Sequence, residues 1–402
     1  MPENRYCTCM SNLQRLIASK FLLSLSFTVP IQTLFLFAKG LQFSEIMLLE
    51  SVLLAGILLF QIPTGMFADM FGRKRSMLLG ALVMLIAWIP WFLADGFPLF
   101  AVSFFLFGIA IAFHTGSDQA LIYDELHEQH REGEMQKLMG RYLGSATLAT
   151  AVGSLAGGLL SVSQNLEAFL FLYKLNVAMQ IAGFLLLWTV HEPAKSTPVT
   201  PAVPVRIFRV FLGSVHLLLT HRKLRKIFLL SLFTIPFSFV LVYIFQPYFQ
   251  LSGVPAIWYG IAVSVASLLS FLAKVFAFTI ERRLGVSRGV FVVSALPGIL
   301  WLAMAVTFHP AFAVVLYILN DTAGNVRDPL FSDYLNRHIE GHNRATVLST
   351  IAFAGSLYAI IIRPIAGLLA DIDLRFAFLA MGSLIVSGAL LFKICEEDVA
   401  VS

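Results

Sequence analysis

Long uninterrupted apolar runs recur along this chain, and they limit its class before any motif is considered. Each is close to the length needed to cross a hydrocarbon core with one helix, roughly 20 residues. Twelve can be marked: Leu16–Phe37, Ser44–Thr64, Ser76–Ala94, Pro98–Tyr123, Lys137–Ser161, Ala168–Val190, Ile227–Phe249, Ala256–Ile280, Gly289–Phe308, Ala311–Tyr334, Ala345–Ala370 and Arg375–Ile394. Of the 402 residues, 58% are hydrophobic and only 13% charged, with a mean hydropathy of +0.83. A water-soluble domain of this length would carry far more surface charge. A β-barrel would show shorter, alternating segments. The expectation is an all-α polytopic membrane protein of twelve transmembrane helices, multi-pass in the cell (inner or plasma) membrane.

The basic residues are unevenly shared between the two sides. One side collects Arg5, Arg15, Arg73–Arg75, Arg131, Lys137, the group from Arg206 to Lys226, Arg282, Arg283, Arg288, Arg337 and Arg344. The other has Lys39 and Arg375, with Lys174 a little inside the sixth run. The positive side is the cytoplasmic one, so both termini are expected there. This placement accounts for the net charge of +5 as an orientation signal, so no nucleic-acid partner is expected. Cys7, Cys9 and Cys395 fall on the same side, where thiols stay reduced. Cys7 and Cys9 lack a nearby third ligand, and no metal site is expected. The first run is too long for a signal peptide and lacks a small-residue cleavage site.

The longest polar stretch, His191 to Lys226, divides the chain into an N-terminal six-helix half (1–190), a linker (191–226) and a C-terminal six-helix half (227–402). The linker opens with repeated prolines and continues as Arg206-Ile-Phe-Arg209-Val-Phe, the pattern of an interfacial helix lying on the membrane. The halves echo each other. Ala120-Leu-Ile-Tyr-Asp124-Glu-Leu parallels Pro329-Leu-Phe-Ser-Asp333-Tyr-Leu, and Gly153-Ser-Leu-Ala-Gly157 parallels Arg363-Pro-Ile-Ala-Gly367. Repeated halves with a site between them describe alternating-access transport.

One polar stretch is unusually dense: Gly65-Met-Phe-Ala-Asp69-Met-Phe-Gly72-Arg73-Lys74-Arg75. It reads as a helix end, a reversal at Gly72 and a new helix held at an anionic lipid surface by its basic cluster. This stretch resembles the loop between the second and third spans of major facilitator superfamily transporters, Gly-x-Leu-Ala-Asp-basic-x-Gly-basic-basic. It matches at Gly65, Ala68, Asp69, Gly72, Arg73 and Lys74, with Phe67 for leucine and Met70 where a basic residue is usual. The resemblance extends over the whole chain through the twelve runs and the six-plus-six division. It implies a conformational gate. Asp69 would face the start of the eleventh span near Arg344 and Thr346, and Arg73 would bridge to Asp124, latching the halves on the cytoplasmic side. A second likeness, Ala149-Thr-Ala-Val-Gly153-Ser154-Leu-Ala-Gly157-Gly158, is to a fifth-span motif of proton-coupled exporters. Here Ser154 replaces its proline and Ala149 its first glycine. The plain alternative is close helix packing by small residues. The arginine often seen in the fourth span of those exporters is missing; Phe104 and Phe105 occupy that region.

Ionisable residues inside spans cost roughly 2.5–3.5 kcal/mol each on insertion scales, so each needs a reason. Lys20, Glu45, Lys174 and Lys274 lie near span ends and are read as snorkelling or structural. Asp321 lies deep in the tenth run, beside Asn320 and on one face with Asp328. It is a candidate for proton coupling or for binding a cationic or polar solute, the alternative being a static pair with a neighbouring helix. His114 and Asp118, four apart, share a face and could relay protons. By the repeat, Asp118 matches Arg327, which would make an inter-half pair. Glu50 would line an outer vestibule. Pro30 bends the first span. Gln32, Tyr243 and Gln246 become candidate substrate contacts through the superfamily's cavity-lining first and seventh spans.

There is no Gly-x-x-x-x-Gly-Lys phosphate loop, no Gly-x-Ser-x-Gly and no ligand cluster, so neither an enzyme nor ATP drive is expected. The expected activity is proton-coupled efflux of a small amphipathic molecule by a monomer, with no cofactor beyond the proton gradient. The alternatives are an importer of a polar or anionic metabolite, for which Arg327 and Arg363 speak, and a non-transporting sensor or scaffold on the same fold.

Overall fold

The computed structural model describes residues 10–193, 222–234, 236–338 and 344–394. The expected interfacial helix at Arg206 and all three cysteines lie outside these. Among the described residues the secondary structure is helical. In chain order it comprises α1 (Asn12–Ser24), α2 (Gln32–Ala38), α3 (Phe43–Phe71), α4 (Arg73–Leu93), α5 (Phe97–His114), α6 (Ser117–Glu128), α7 (Met135–Leu160) and α8 (Leu166–Trp188). These are followed by α9 (Arg222–Leu232), α10 (Phe237–Leu251), α11 (Ile257–Leu284), α12 (Val286–Val306), α13 (Pro310–His338), α14 (Arg344–Ile372) and α15 (Leu374–Leu391).

Ten of these helical segments are long and apolar enough to cross a membrane. The expected first and tenth spans are not among them. The first run is not one bent helix; it is broken from Leu25 to Ile31, around Pro30, into α1 and α2. The tenth corresponds to α13, whose Asn320, Asp321, Asn325 and Arg327 dilute its apolar character. The fourth run is also interrupted. α5 ends at His114, Gly116 takes a left-handed φ of 80°, and α6 restarts at Ser117. The seventh run breaks before Pro236, so the first and seventh share the same device.

Helix starts are set by local caps. Ser11 and Gln14 form a capping box at α1, and Gln42 and Glu45 do so at α3. Glu45 is therefore a capping residue. Gly72 joins α3 to α4 at one end of the bundle (the Gly72 end), and Gly40 joins α2 to α3 at the other (the Gly40 end). Gly72 has φ +114°, a conformation that favours glycine.

α1 packs on α7 and α8, and α3 and α4 pack on α5; likewise α12 packs on α13 and α15, and α11 on α13. Between the halves the principal contacts are α14 on α3 and α11 on α7. The small residues of α7 explain how those elements approach. A Cβ on Gly157 would collide with the Phe27 carbonyl oxygen in the α1–α2 break, and one on Gly158 would stand 2.6 Å from the Gly260 Cα of α11. Gly157 and Gly158 are thus required for this close packing.

Candidate functional site

The hydrogen bonds that join the halves among the described residues gather toward the Gly40 end. Gln246 on α10 is fully buried. Its side-chain oxygen accepts from the backbone N–H of Thr33 at 2.7 Å and of Leu34 at 3.3 Å, and its nitrogen donates to the Val29 carbonyl at 2.9 Å. These are backbone groups that the break between α1 and α2 leaves without helical partners. Thr33 returns a bond through Oγ1 to the Tyr243 carbonyl at 2.7 Å, and Gln32 reaches the Val242 carbonyl at 3.4 Å. Gln32 and Gln246, expected as solute contacts, are engaged in splicing α2 to α10.

Deeper, a charged joint crosses the halves. Glu50 of α3 accepts from Arg363 of α14 at 3.3 Å and from the Tyr243 hydroxyl at 2.5 Å. The side chains of Arg363 and Glu50 are 4% and 9% exposed, and the Arg363 guanidinium also lies 4.6 Å from the Phe239 ring centroid. Arg363 therefore does not snorkel, and Glu50 faces a partner rather than an open vestibule. At the rim, Asp371 of α14 accepts from the Phe43 and Ser44 N–H groups at 2.7 and 3.0 Å, capping α3 from the other half. The Ser51 hydroxyl donates to the Ile360 carbonyl at 2.9 Å.

At the Gly72 end, Asp69 pairs with Arg73 of the same stretch at 2.6 Å. Gly65 is exposed on α3 and Asp124 is buried on α6. Arg344 opens α14, its side chain outside what the structure describes. Glu192, the second residue of the expected linker, was not singled out from sequence. Its carboxylate accepts from the Lys74 N–H at 3.2 Å, closing the start of α4.

His114 and Asp118 do not sit on one continuous helix, because the chain turns at Thr115–Gly116. They nevertheless line the same cavity, together with Lys20, Tyr142 and Gln180. In the C-terminal half, Asp321 accepts from the Ser270 hydroxyl of α11 at 2.8 Å and from Asn325 at 3.3 Å, with the Lys274 charge nearby. Arg327 is buried and donates to Ser238 of α10 at 3.1 Å. Lys20, read from sequence as snorkelling, lines the cavity, and Arg363, read as a mark of an anionic solute, is held by Glu50. Both carry a lone charge within an apolar run, the signal that flagged Asp321.

Residues 16–282 match the family model of the Major Facilitator Superfamily, and the chain belongs to that family. Similar solved structures include the nucleoside transporter NupG, at TM-score 0.77 and 15% identity over 95% of this chain and 98% of that one. A bacterial homologue of the human lysosomal transporter Spinster, in an inward-facing and unoccupied conformation, gives 0.75 at 15% identity over 99% and 98%. A D-xylose–proton symporter gives 0.71 at 14% identity over 95% of each chain. No curated protein sequence matches the chain. With ten membrane-length apolar helices among the described residues, the protein is a multi-pass integral membrane protein with the superfamily's transporter fold.

Proposed function

We propose that the protein is a twelve-span secondary transporter that works by alternating access, with both termini in the cytoplasm. The observation that carries this is the gathering of inter-half hydrogen bonds at the Gly40 end, where the Glu50–Arg363–Tyr243 joint and the Gln246 splice tie the two halves. Such a joint is what one closed side of an alternating-access cycle needs. The Gly40 end is then the closed, outer side of the state described. The Gly65–Arg75 stretch, Asp124 and the start of α14 at Arg344 form the cytoplasmic latch. Asp321, held by Ser270 and Asn325, is the proposed proton-coupling group.

The direction we favour is outward, from the likeness of Gly153–Gly158 to the exporters' fifth-span motif. Inward movement of a polar metabolite is the second reading, supported by the polar lining around Lys20 and Asp118. Arg363 no longer speaks for an anionic solute, because Glu50 neutralises it.

The deciding experiment is a substrate panel in proteoliposomes with an imposed pH gradient, run in both directions. The expected result is solute movement that collapses with the gradient and is uncoupled from it by Asp321→Asn. A panel that shows no movement under any gradient would leave the scaffold reading standing instead.

A further inference from the structure

The cavity around His114 is lined wholly by the N-terminal half, by residues of α1, α4, α5, α6, α7 and α8, and is open on one side. Its volume is about 260 Å³, below the range of roughly 300–1,000 Å³ that accommodates drug-sized ligands. A small metabolite fits; a large amphipathic compound does not.

Its charges are arranged unusually. Lys20 and Asp118 both line it, yet among the described residues neither makes an ion pair. Tyr142 lines the cavity beside them, with the Lys20 ammonium 5.1 Å from its ring centroid. An unpaired charge in a span is expensive, so each of these two calls for a partner. Gln180 adds an oriented donor. Its oxygen accepts from the Trp88 indole N–H at 2.7 Å. That indole can only donate, which leaves the Gln180 amide NH₂ for another acceptor. The cavity therefore offers cationic and N–H donors from Lys20 and Gln180, and a carboxylate acceptor from Asp118, with Met77, Ala81, Met84 and Ile111 as apolar walls.

A simple anion would meet Asp118, and a simple cation would meet Lys20. Only a molecule carrying both an ammonium and a carboxylate satisfies both at once. We propose that this cavity is a binding site for a small zwitterionic metabolite, its carboxylate on Lys20 and Gln180 and its ammonium on Asp118. Binding itself is independent of the transporter reading; only the movement of the bound molecule across the membrane rests on it.

Binding is measured on the full chain in nanodiscs, without any gradient, by titration calorimetry. The probes are glycine, β-alanine, 4-aminobutanoate and 5-aminopentanoate, which step the charge separation, beside butylamine and butyrate, which carry one charge each. The expected result is saturable binding of at least one zwitterion, with both single-charge probes at least tenfold weaker. Lys20→Met should abolish the preference over butylamine, and Asp118→Asn the preference over butyrate. Lys20→Arg and Asp118→Glu should keep the preferences, which separates charge recognition from misfolding. The inference is overturned if no zwitterion outbinds the single-charge probes, or if its binding survives both charge-removing variants. A protein that binds the zwitterion and moves nothing sinks the transporter reading alone; one that moves other solutes without binding any zwitterion sinks this inference alone.

Discussion

Glu50 and Arg363 come from different halves and are joined; Lys20 and Asp118 come from the same half and line one cavity without an ion pair between them. Both pairs place a cation and an anion inside runs that would otherwise be hydrocarbon-like. The first is nearly dry and closed by a third group, the Tyr243 hydroxyl at 2.5 Å. The second borders a cavity and has no direct contact. A buried ion pair resists being opened, because opening strands two desolvated charges. A pair kept apart is already poised for something that arrives from outside the chain. The first arrangement suits a gate between halves, and the second suits a ligand.

The strongest way to break the comparison is to strand one member of the joined pair. Arg363→Met leaves Glu50 buried without its cation, and losing one partner of a buried pair costs about 3–5 kcal/mol. The closed Gly40 end should lose most of its population. Spin labels at Ser163 and His309, one on each half at that end, should move to longer separations in a background free of the native cysteines. Glu50→Gln combined with Arg363→Met should recover much of the loss, since no lone charge remains. Unchanged label distances in Arg363→Met would remove the gate role.

Next in size is Tyr243→Phe. It removes a hydrogen bond to a charged group, which contributes about 1.5–3 kcal/mol, while the ion pair itself survives. The same labels should show a partial opening, smaller than for Arg363→Met. Gln246→Leu should come close behind. It orphans the Thr33 N–H and the Val29 carbonyl, each buried unsatisfied group costing about 1–3 kcal/mol, offset in part by the gain of an apolar side chain. Thermal unfolding in detergent should fall for this variant, with faster amide exchange across α2. A wild-type melting curve would show that the splice contributes nothing.

The legibility of the molecule from sequence divides along the same line. Apolar runs and basic clusters report membrane class and general architecture because they depend on the solvent, which acts on each segment separately. The Gly72 reversal was also visible, because a positive φ is a local demand. Partnerships were not. Nothing near Glu50 in the chain announces Arg363, and a lone arginine close to a span end reads as snorkelling until a distant helix places a carboxylate beside it. The break at Thr115–Gly116 was hidden as well, since a single glycine in an apolar run is tolerated in a helix, and the His114–Asp118 spacing looked like a helical pair. Gln32 and Gln246 looked like solute contacts because polarity in a span marks a need for hydrogen bonds but does not say whose.

The smallest expected effect is also the one that sharpens the comparison most. Lys20→Met and Asp118→Asn remove charges that make no ion pair, so there is no buried partner to strand. Each should change unfolding stability by less than about 1 kcal/mol, near the range for substitutions away from cores, caps and paired charges. Lys20→Met could even stabilise the fold, because a charge kept for a ligand is a cost borne by the empty protein. Side by side in one detergent, the four single variants should therefore separate into two classes: Arg363→Met and Glu50→Gln with large losses of melting temperature, Lys20→Met and Asp118→Asn with little or none. If the Lys20 and Asp118 variants melted as early as the Arg363 variant, those two charges would be structural supports of the N-terminal half, and the contrast between a gate and a ligand site would collapse.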